Sequence, residues 1–230
     1  MTQPFRPHLD ILPPTQRLLW DELSVTPSDF ALYGGTAIAL RLGHRASVAF
    51  DFFSSTSFRP GDLMARIPYL DGATIRQSAA DTLTATVDRG GPVQVSFFGG
   101  LTLGQVEPHG RAEGSDLAVA SLIDLAGTKA AVVTQRAELK DYLDIHALLI
   151  DAKLPLGLML SAASIIYDEE FNAVIALKAI SYHDDPALKD LPHSIRRALV
   201  DAVSEVDPAR LPPLAALRRR RGGRPGGSPS

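Results

Sequence analysis

At 230 residues the chain is long enough for one domain with an extension or for two small ones, taking about 150 residues per domain as the norm. Its hydrophobic share of 45% and charged share of 21% are those of a globular protein with a buried core, which excludes wholesale disorder. The absence of cysteine excludes disulfide frameworks, thiolate zinc sites, iron–sulfur clusters and cysteine nucleophiles together, so chemistry must rest on oxygen and nitrogen groups. The net charge of −3 hides an asymmetry. The last 13 residues, Arg218 to Ser230, hold five arginines (218–221 and 224) and no acid, so −3 less those five leaves −8 for residues 1–217. Nucleic-acid contact must then come from a local cationic patch or from that tail.

The N-terminal lead carries Pro4, Pro7, Pro13 and Pro14 and lacks the apolar run of a signal peptide; no stretch reaches the ~18 apolar residues of a membrane span, so a cytoplasmic location is expected. Leu18, Leu19 and Leu23 suit a short amphipathic helix over residues 15–24, closed by Pro27. Phe30 to Tyr33 reads as a buried strand, Gly34-Gly35 as a tight turn, Thr36 to Leu42 as a helix and Val48 to Phe53 as a second strand. A helix is expected over Gly61 to Leu70, interrupted near Pro68. The period-two alternation of 73–78 and 82–88, followed by Gly90-Gly91 and Val93 to Phe98, predicts a hairpin.

From Ser115 onward the pattern turns helical. Helices are expected over 121–136, 139–150, 156–167, 172–182 and 194–206, separated by Pro155, Pro186 and the acidic run Asp168-Glu169-Glu170, the last read as a solvated helix start. The fold class is therefore α+β: a mixed sheet with helices in the N-terminal half, then a helical bundle. The expected domains are residues 1–114 and 115–217, with an Arg/Gly/Pro-rich disordered tail over 218–230.

The segment most open to chemical reading is Leu32 to Ser54. A strand that runs through Gly34-Gly35 into a helix starting at Thr36 presents free backbone N–H groups and a positive helix end to a phosphate. Asp51, flanked by Phe50 and Phe52, is a lone carboxylate in an apolar strand; unpaired burial there costs several kcal/mol. It faces a ligand, a metal or a cation, and Arg41 and Arg45 are the cations nearest in sequence. In the helical half, Lys129, Arg136, Lys140 and Asp144 fall in one sector if the helix is continuous. If it breaks near Ala137, Asp141 opens a second helix and caps it. The structural reading of Lys140 and Asp144 is an ordinary i,i+4 pair. The six histidines show no metal-ligand spacing, and only His44 lies inside a motif.

Two motifs resemble those of the AbiEii/AbiGii-type nucleotidyltransferases, toxin components of bacterial toxin–antitoxin and phage-defence operons. The first is Gly34-Gly35-Thr36-Ala37, Gly43-His44-Arg45, Ser47 and Ala49-Phe50-Asp51-Phe52, where the family has Asp-Phe-Asp-Phe; the second is Lys129, Arg136 and Lys140-Asp141-x-x-Asp144. The resemblance spans roughly residues 30 to 150. It implies transfer of a nucleotide from a nucleoside triphosphate, with Mg²⁺ or Mn²⁺, to an acceptor such as the 3′ end of tRNA, and a winged-helix antitoxin as partner. Carried over residue by residue, it makes Asp51, Lys129, Asp141 and Asp144 the catalytic candidates, with Asp51 the metal ligand. Gly34, Gly35, Thr36, Arg45, Ser47, Arg136 and Lys140 become the nucleotide-binding candidates.

Side chains at i and i+2 of a strand share a face, which is why paired carboxylates there can hold metal and position a triphosphate. This chain has Ala49 at the first of the two positions, and the segment 93–97 supplies Gln94 or Ser96 where a third carboxylate is usual. The alternative reading is thus a catalytically impaired nucleotide-binding or regulatory protein of the same fold.

Overall fold

The computed structural model describes residues 4–218. Among these residues eight strands form one mixed sheet: β1 (Pro4–Phe5), β2 (Ala31–Tyr33), β3 (Ala49–Phe53), β4 (Thr74–Ala79), β5 (Thr82–Asp88), β6 (Pro92–Phe98), β7 (Gly110–Ala112) and β8 (Ala118–Val119), in the spatial order β1-β7-β8-β2-β3-β6-β5-β4. β3 runs parallel to β6 and antiparallel to β2, and β4 to β6 form an antiparallel meander. The described residues also form eight α-helices: α1 (Pro14–Trp20), α2 (Gly34–Leu42), α3 (Pro60–Arg66), α4 (Leu122–Val132), α5 (Leu139–Ile150), α6 (Leu156–Tyr167), α7 (Ala173–Ser181) and α8 (His193–Ser204).

Register gives the central strands two faces of opposite character, as a period of two demands. On one face Leu32, Phe52, Phe97 and Leu83 stand in one row, and Phe50, Val95 and Ala85 in the next. All seven are fully buried. α1 covers this face through Trp20, whose ring lies 6.4 Å from that of Phe50, and Phe30 meets Phe97 edge-on at 5.3 Å. The other face carries Tyr33, Asp51, Ser96 and Thr84 in one row, Ala49, Gln94 and Thr86 on one side of it, and Ala31, Phe53, Phe98 and Thr82 on the other. The polar rows lie where α4 and the start of α5 approach.

Two expectations are corrected. The helix read as 121–136 ends at Val132, and α5 starts only at Leu139. Lys129 and Arg136 therefore do not share a continuous helical face with Lys140 and Asp144; a bend brings them together instead. Asp141 does lie in the first turn of the new helix, yet the N-cap is Glu138 and no side chain caps it. The acidic run 168–170 is a 3₁₀ turn after α6, entered through Asp168 at φ +53°, rather than a helix start.

The sheet also runs past residue 114: β8 pairs with β2 through Leu32 and Val119. Sheet and helices share one large core, which takes in residues from Ile11 to Leu199. Of the tail read as disordered, Arg218 is described and exchanges both backbone hydrogen bonds with Gln105 (2.7 and 3.0 Å); residues 219–230 lie outside the described residues. Among the described residues no helix is long and apolar enough to cross a membrane.

Phe52 packs in a stack with Phe97, ring centroids 5.2 Å apart, with no exposed surface. Phe52→Ala is expected to lower unfolding free energy by about 3–5 kcal/mol, while Val48→Ala, at a largely exposed position, changes it by less than about 0.5 kcal/mol. Urea denaturation of the two variants measures both.

Candidate active site

The turn from β2 into α2 is built around Gly34 and Gly35. Gly34 sits at φ +73°, a conformation that β-carbon-bearing residues rarely adopt, and a β-carbon there would lie 2.9 Å from Asp51 Oδ2. At Gly35 a β-carbon would run into the guanidinium of Arg45. The glycine pair thus does more than expose N–H groups: it lets Asp51 and Arg45 close in on the helix start from either side. Thr36 is buried, and its hydroxyl bonds to the Ala49 carbonyl and to Ser47 Oγ, the latter at 2.6 Å. Both hydroxyls expected to meet phosphate therefore tie α2 to the entry of β3.

Beneath this turn lies a buried charge cluster. Asp144, on α5 and without exposed surface, receives Arg45 Nε at 2.6 Å and Nη2 at 2.9 Å, His44 Nε2 at 2.7 Å and Lys129 Nζ at 2.8 Å. Asp141, equally buried, receives Lys129 Nζ at 2.5 Å and Arg136 Nε at 3.1 Å. Burial acts to raise the pKa of Asp144, but the His44 and Arg45 hydrogen bonds and the charges of Lys129 and Arg45 overcome it and hold the carboxyl well below its ordinary range. Arg45 is thereby committed to Asp144. Arg41 instead bonds the Val119 and Ala120 carbonyls and lies over the Phe5 ring.

Asp51 is not paired with either arginine. Burial raises its pKa; a hydrogen bond with Ser96 and the charges of Lys140, Lys129 and Arg136 offset part of that effect. It opens onto a pocket of about 330 Å³ whose wall includes Gly34, Gly35, Asp51, Lys129, Arg136 and Lys140. Arg136 and Lys140 are half-exposed and share Glu138, at 3.2 and 2.8 Å. They are the cations best placed to meet an anion entering the pocket, whereas Lys129 is held at its floor. All seven nucleotide-binding candidates, together with Asp51 and Lys129, line this one space; Asp141 and Asp144 stand behind it and position Lys129, Arg136 and Arg45.

The sequence reading missed the apolar side of the pocket. Tyr33 stacks on Phe53 with centroids 4.7 Å apart and planes 11° apart, Phe98 meets Phe53 edge-on, and Tyr167 at the end of α6 closes the wall. Phe53 and Phe98 were legible in principle, since they stand two residues beyond Asp51 and Ser96 on the same face. Tyr167 carries no such sequence signal.

A model of the nucleotidyl transferase AbiEii toxin family, type IV toxin–antitoxin system, matches residues 17–219. The chain belongs to this family. Its fold is similar to a crystal structure bearing the name of a nucleotidyltransferase from H. pylori, with a TM-score of 0.50 and 17% identity over 83% of this chain and 90% of that one. A looser likeness, TM-score 0.42 and 14% identity over 83% and 84% of the two chains, links it to MenT4, a nucleotidyltransferase toxin from Mycobacterium tuberculosis H37Rv. An uncharacterized protein of Aquifex aeolicus (strain VF5) is 31% identical over 124 residues, which are 53% of this chain and 58% of that relative. The chain thus spans little more than half the length of that relative.

The donor set limits what metal the site fits. Among the described residues no three His, Asp or Glu side chains stand together as a metal cage. The row that pairs Ala49 with Gln94 supplies no carboxylate, and the row of Asp51 supplies Ser96 as its neighbour. A two-metal centre does not fit these residues. A single Mg²⁺ on Asp51 does, because that ion takes one or two carboxylates and completes its octahedron with phosphate oxygens and water.

Asp144→Asn removes the charge that Lys129 and Arg45 share and is expected to destabilise the fold by about 3–5 kcal/mol. Because the native Asp144 carboxyl titrates below its unfolded value of 3.8, its contribution is complete above that value and is lost as pH falls below it. Thermal melts from pH 7 to pH 3 should show a steeper acid loss in the wild type than in Asp144→Asn.

Proposed function

We propose that this chain transfers a nucleotide from a nucleoside triphosphate to a hydroxyl of an RNA acceptor such as tRNA, as the toxin of a toxin–antitoxin pair whose antitoxin is a winged-helix protein. The observation that carries this reading is the meeting, in one pocket, of the Gly34-Gly35 turn, the lone carboxylate of Asp51 and the cations Lys129, Arg136 and Lys140.

In this reading the N–H groups of the turn and the positive end of α2 bind phosphate oxygens. Arg136 and Lys140 take the charge of the β- and γ-phosphates, and Lys129, fixed by Asp141 and Asp144, lies at the α-phosphate. Asp51 is the residue that would hold Mg²⁺, and the ion would supply polarisation of the phosphoryl oxygens. The acceptor oxygen forms a bond to the α-phosphorus, the bond to the bridging oxygen breaks, pyrophosphate leaves with the electron pair, and the hydroxyl proton passes to solvent. Asp141 and Asp144 are positioning residues, since their oxygens are engaged by Lys129, Arg136, Arg45 and His44. The domains expected over 1–114 and 115–217 act in this scheme as two walls of one pocket, the first bringing the turn and carboxylate and the second the cations.

A second reading is favoured by Ala49 and by Gln94 and Ser96 beside it: a protein that binds nucleotide without turnover. Incubation with each labelled triphosphate, Mg²⁺ and total RNA separates the two. Under the first reading the wild type labels RNA, and Asp51→Ala lowers the rate at least ~10³-fold. Under the second, triphosphates raise the melting temperature of the wild type but no label is transferred, and Ala49→Asp brings transfer. No transfer with any triphosphate and no loss of growth on expression would overturn the catalytic reading.

A further inference from the structure

Beside the pocket lies a second cavity of about 210 Å³, lined in part by Asp29, Tyr33, Phe53, Gln105, His109 and Arg218. The stacked rings of Tyr33 and Phe53 belong to both and form the wall between them. Tyr33 stands opposite Asp51 in the β2–β3 ladder, so a group at the rim of this cavity is one side chain from the carboxylate. A transferase needs two substrates to converge on one phosphorus atom, and the nucleotide pocket accounts for one.

The second cavity is assembled with care. The chain after α8 crosses α6, where the Ser161 hydroxyl donates to the Pro212 carbonyl at 2.7 Å. Leu214 packs against the small buried group of Val106, Ile123 and Ala162. Arg218 then locks to Gln105 through both backbone hydrogen bonds. Gly104, before that lock, lies so close to the Ile165 carbonyl that a β-carbon would collide with it. The effect of these contacts is to hold a cation in the cavity wall, where the Tyr33 hydroxyl and the His109 ring feel the charge of Asp124 first and the opposing charge of Arg218 after it. Among the described residues no carboxylate is ion-paired with Arg218, in contrast to Arg45 and Arg136.

We infer that this second cavity is the acceptor subsite, and that it takes the terminal nucleotide of a single-stranded nucleic acid. This rests on the transferase reading above. The base lies against the aromatic wall of Tyr33 and Phe53, stacking that any base can supply. His109, which meets Tyr33 edge-on with Nε2 3.3 Å from its hydroxyl, borders the base. Arg218 takes the adjoining phosphate. The chemistry agrees with the charge of the chain: residues 1–217 total −8, and Arg218 is the first of the five arginines that follow. A polyanion approaching an acidic body is best met where that run begins.

The test uses the full chain and a short 5′-labelled single-stranded RNA with a free 3′ hydroxyl, read by fluorescence anisotropy over a salt series. Arg218→Ala should weaken binding about tenfold and reduce the slope of log affinity against log salt by about 0.7, the loss of one phosphate contact. His109→Ala should weaken binding without changing the slope. Arg210→Ala, at an exposed residue of the same C-terminal segment, should leave binding as it is. In all three, the rise in melting temperature given by triphosphate with Mg²⁺ should match the wild type. If Arg218→Ala and His109→Ala bind RNA like the wild type, or an acidic peptide competes as well as RNA does, the subsite is overturned. If triphosphate fails to shift the wild type while RNA binding still depends on both residues, the transferase reading falls and the nucleic-acid site stands.

Discussion

The structure depends on one buried cluster of charge. Asp144 and Asp141 lie out of contact with water, and an isolated carboxylate in that position would cost far more than a protein of this size can spare. They are tolerated because His44, Arg45, Lys129 and Arg136 surround them with directed hydrogen bonds. Those partners come from the loop after α2, from α4 and from the link into α5. The cluster therefore fastens the sheet half to the helical half at the edge of the pocket, and the Gly35 position is left without a side chain so that Arg45 can reach its partner. Arg45, Lys129 and Arg136 thus belong both to the pocket wall and to the structural joint.

Alternation along the central strands separates two tasks. Phe50, Phe52 and Phe97 point into the core and set its packing, while Asp51, Phe53 and Phe98 on the other face line the pocket. The side chain of Ala49 also borders the pocket, and α2 is tied to its backbone carbonyl. The side chain at that position can therefore vary without disturbing what holds the sheet together. This is why a chain with a single carboxylate in the site keeps the complete fold.

Much of this was legible from the residues. Period-two segments and glycine turns marked β2, β3, β5 and β6, and Pro155 marked the break before α6 because a proline disrupts a helix interior but is tolerated at its entrance. The short strands β1, β7 and β8 were not legible: two or three residues carry no periodicity, and β1 finds its partner more than a hundred residues away. The site motifs were visible, but their internal geometry was not. A helical wheel placed Lys129, Arg136 and Lys140 together for the wrong reason, since it is the bend at 133–138 that gathers them. The engagement of Asp141 and Asp144 by Lys129, Arg136, Arg45 and His44 depends on tertiary contacts, those from residues 44 and 45 above all, which no local pattern encodes.

The strap that ends at Arg218 bears on the order in which the molecule becomes complete. A chain is made from its N-terminus, and its early segments begin to fold before the later ones exist. The sheet that presents Asp51 is fully specified by residue 119, the cations of the pocket arrive with residues 129 to 140, and the rim of the second cavity closes only when residue 218 has docked on Gln105. A nascent chain therefore passes through a stage in which the pocket beside Asp51 is whole and its neighbour is still open on one side. The ring wall that the two cavities share is thus in place before the outer rim of the second is closed.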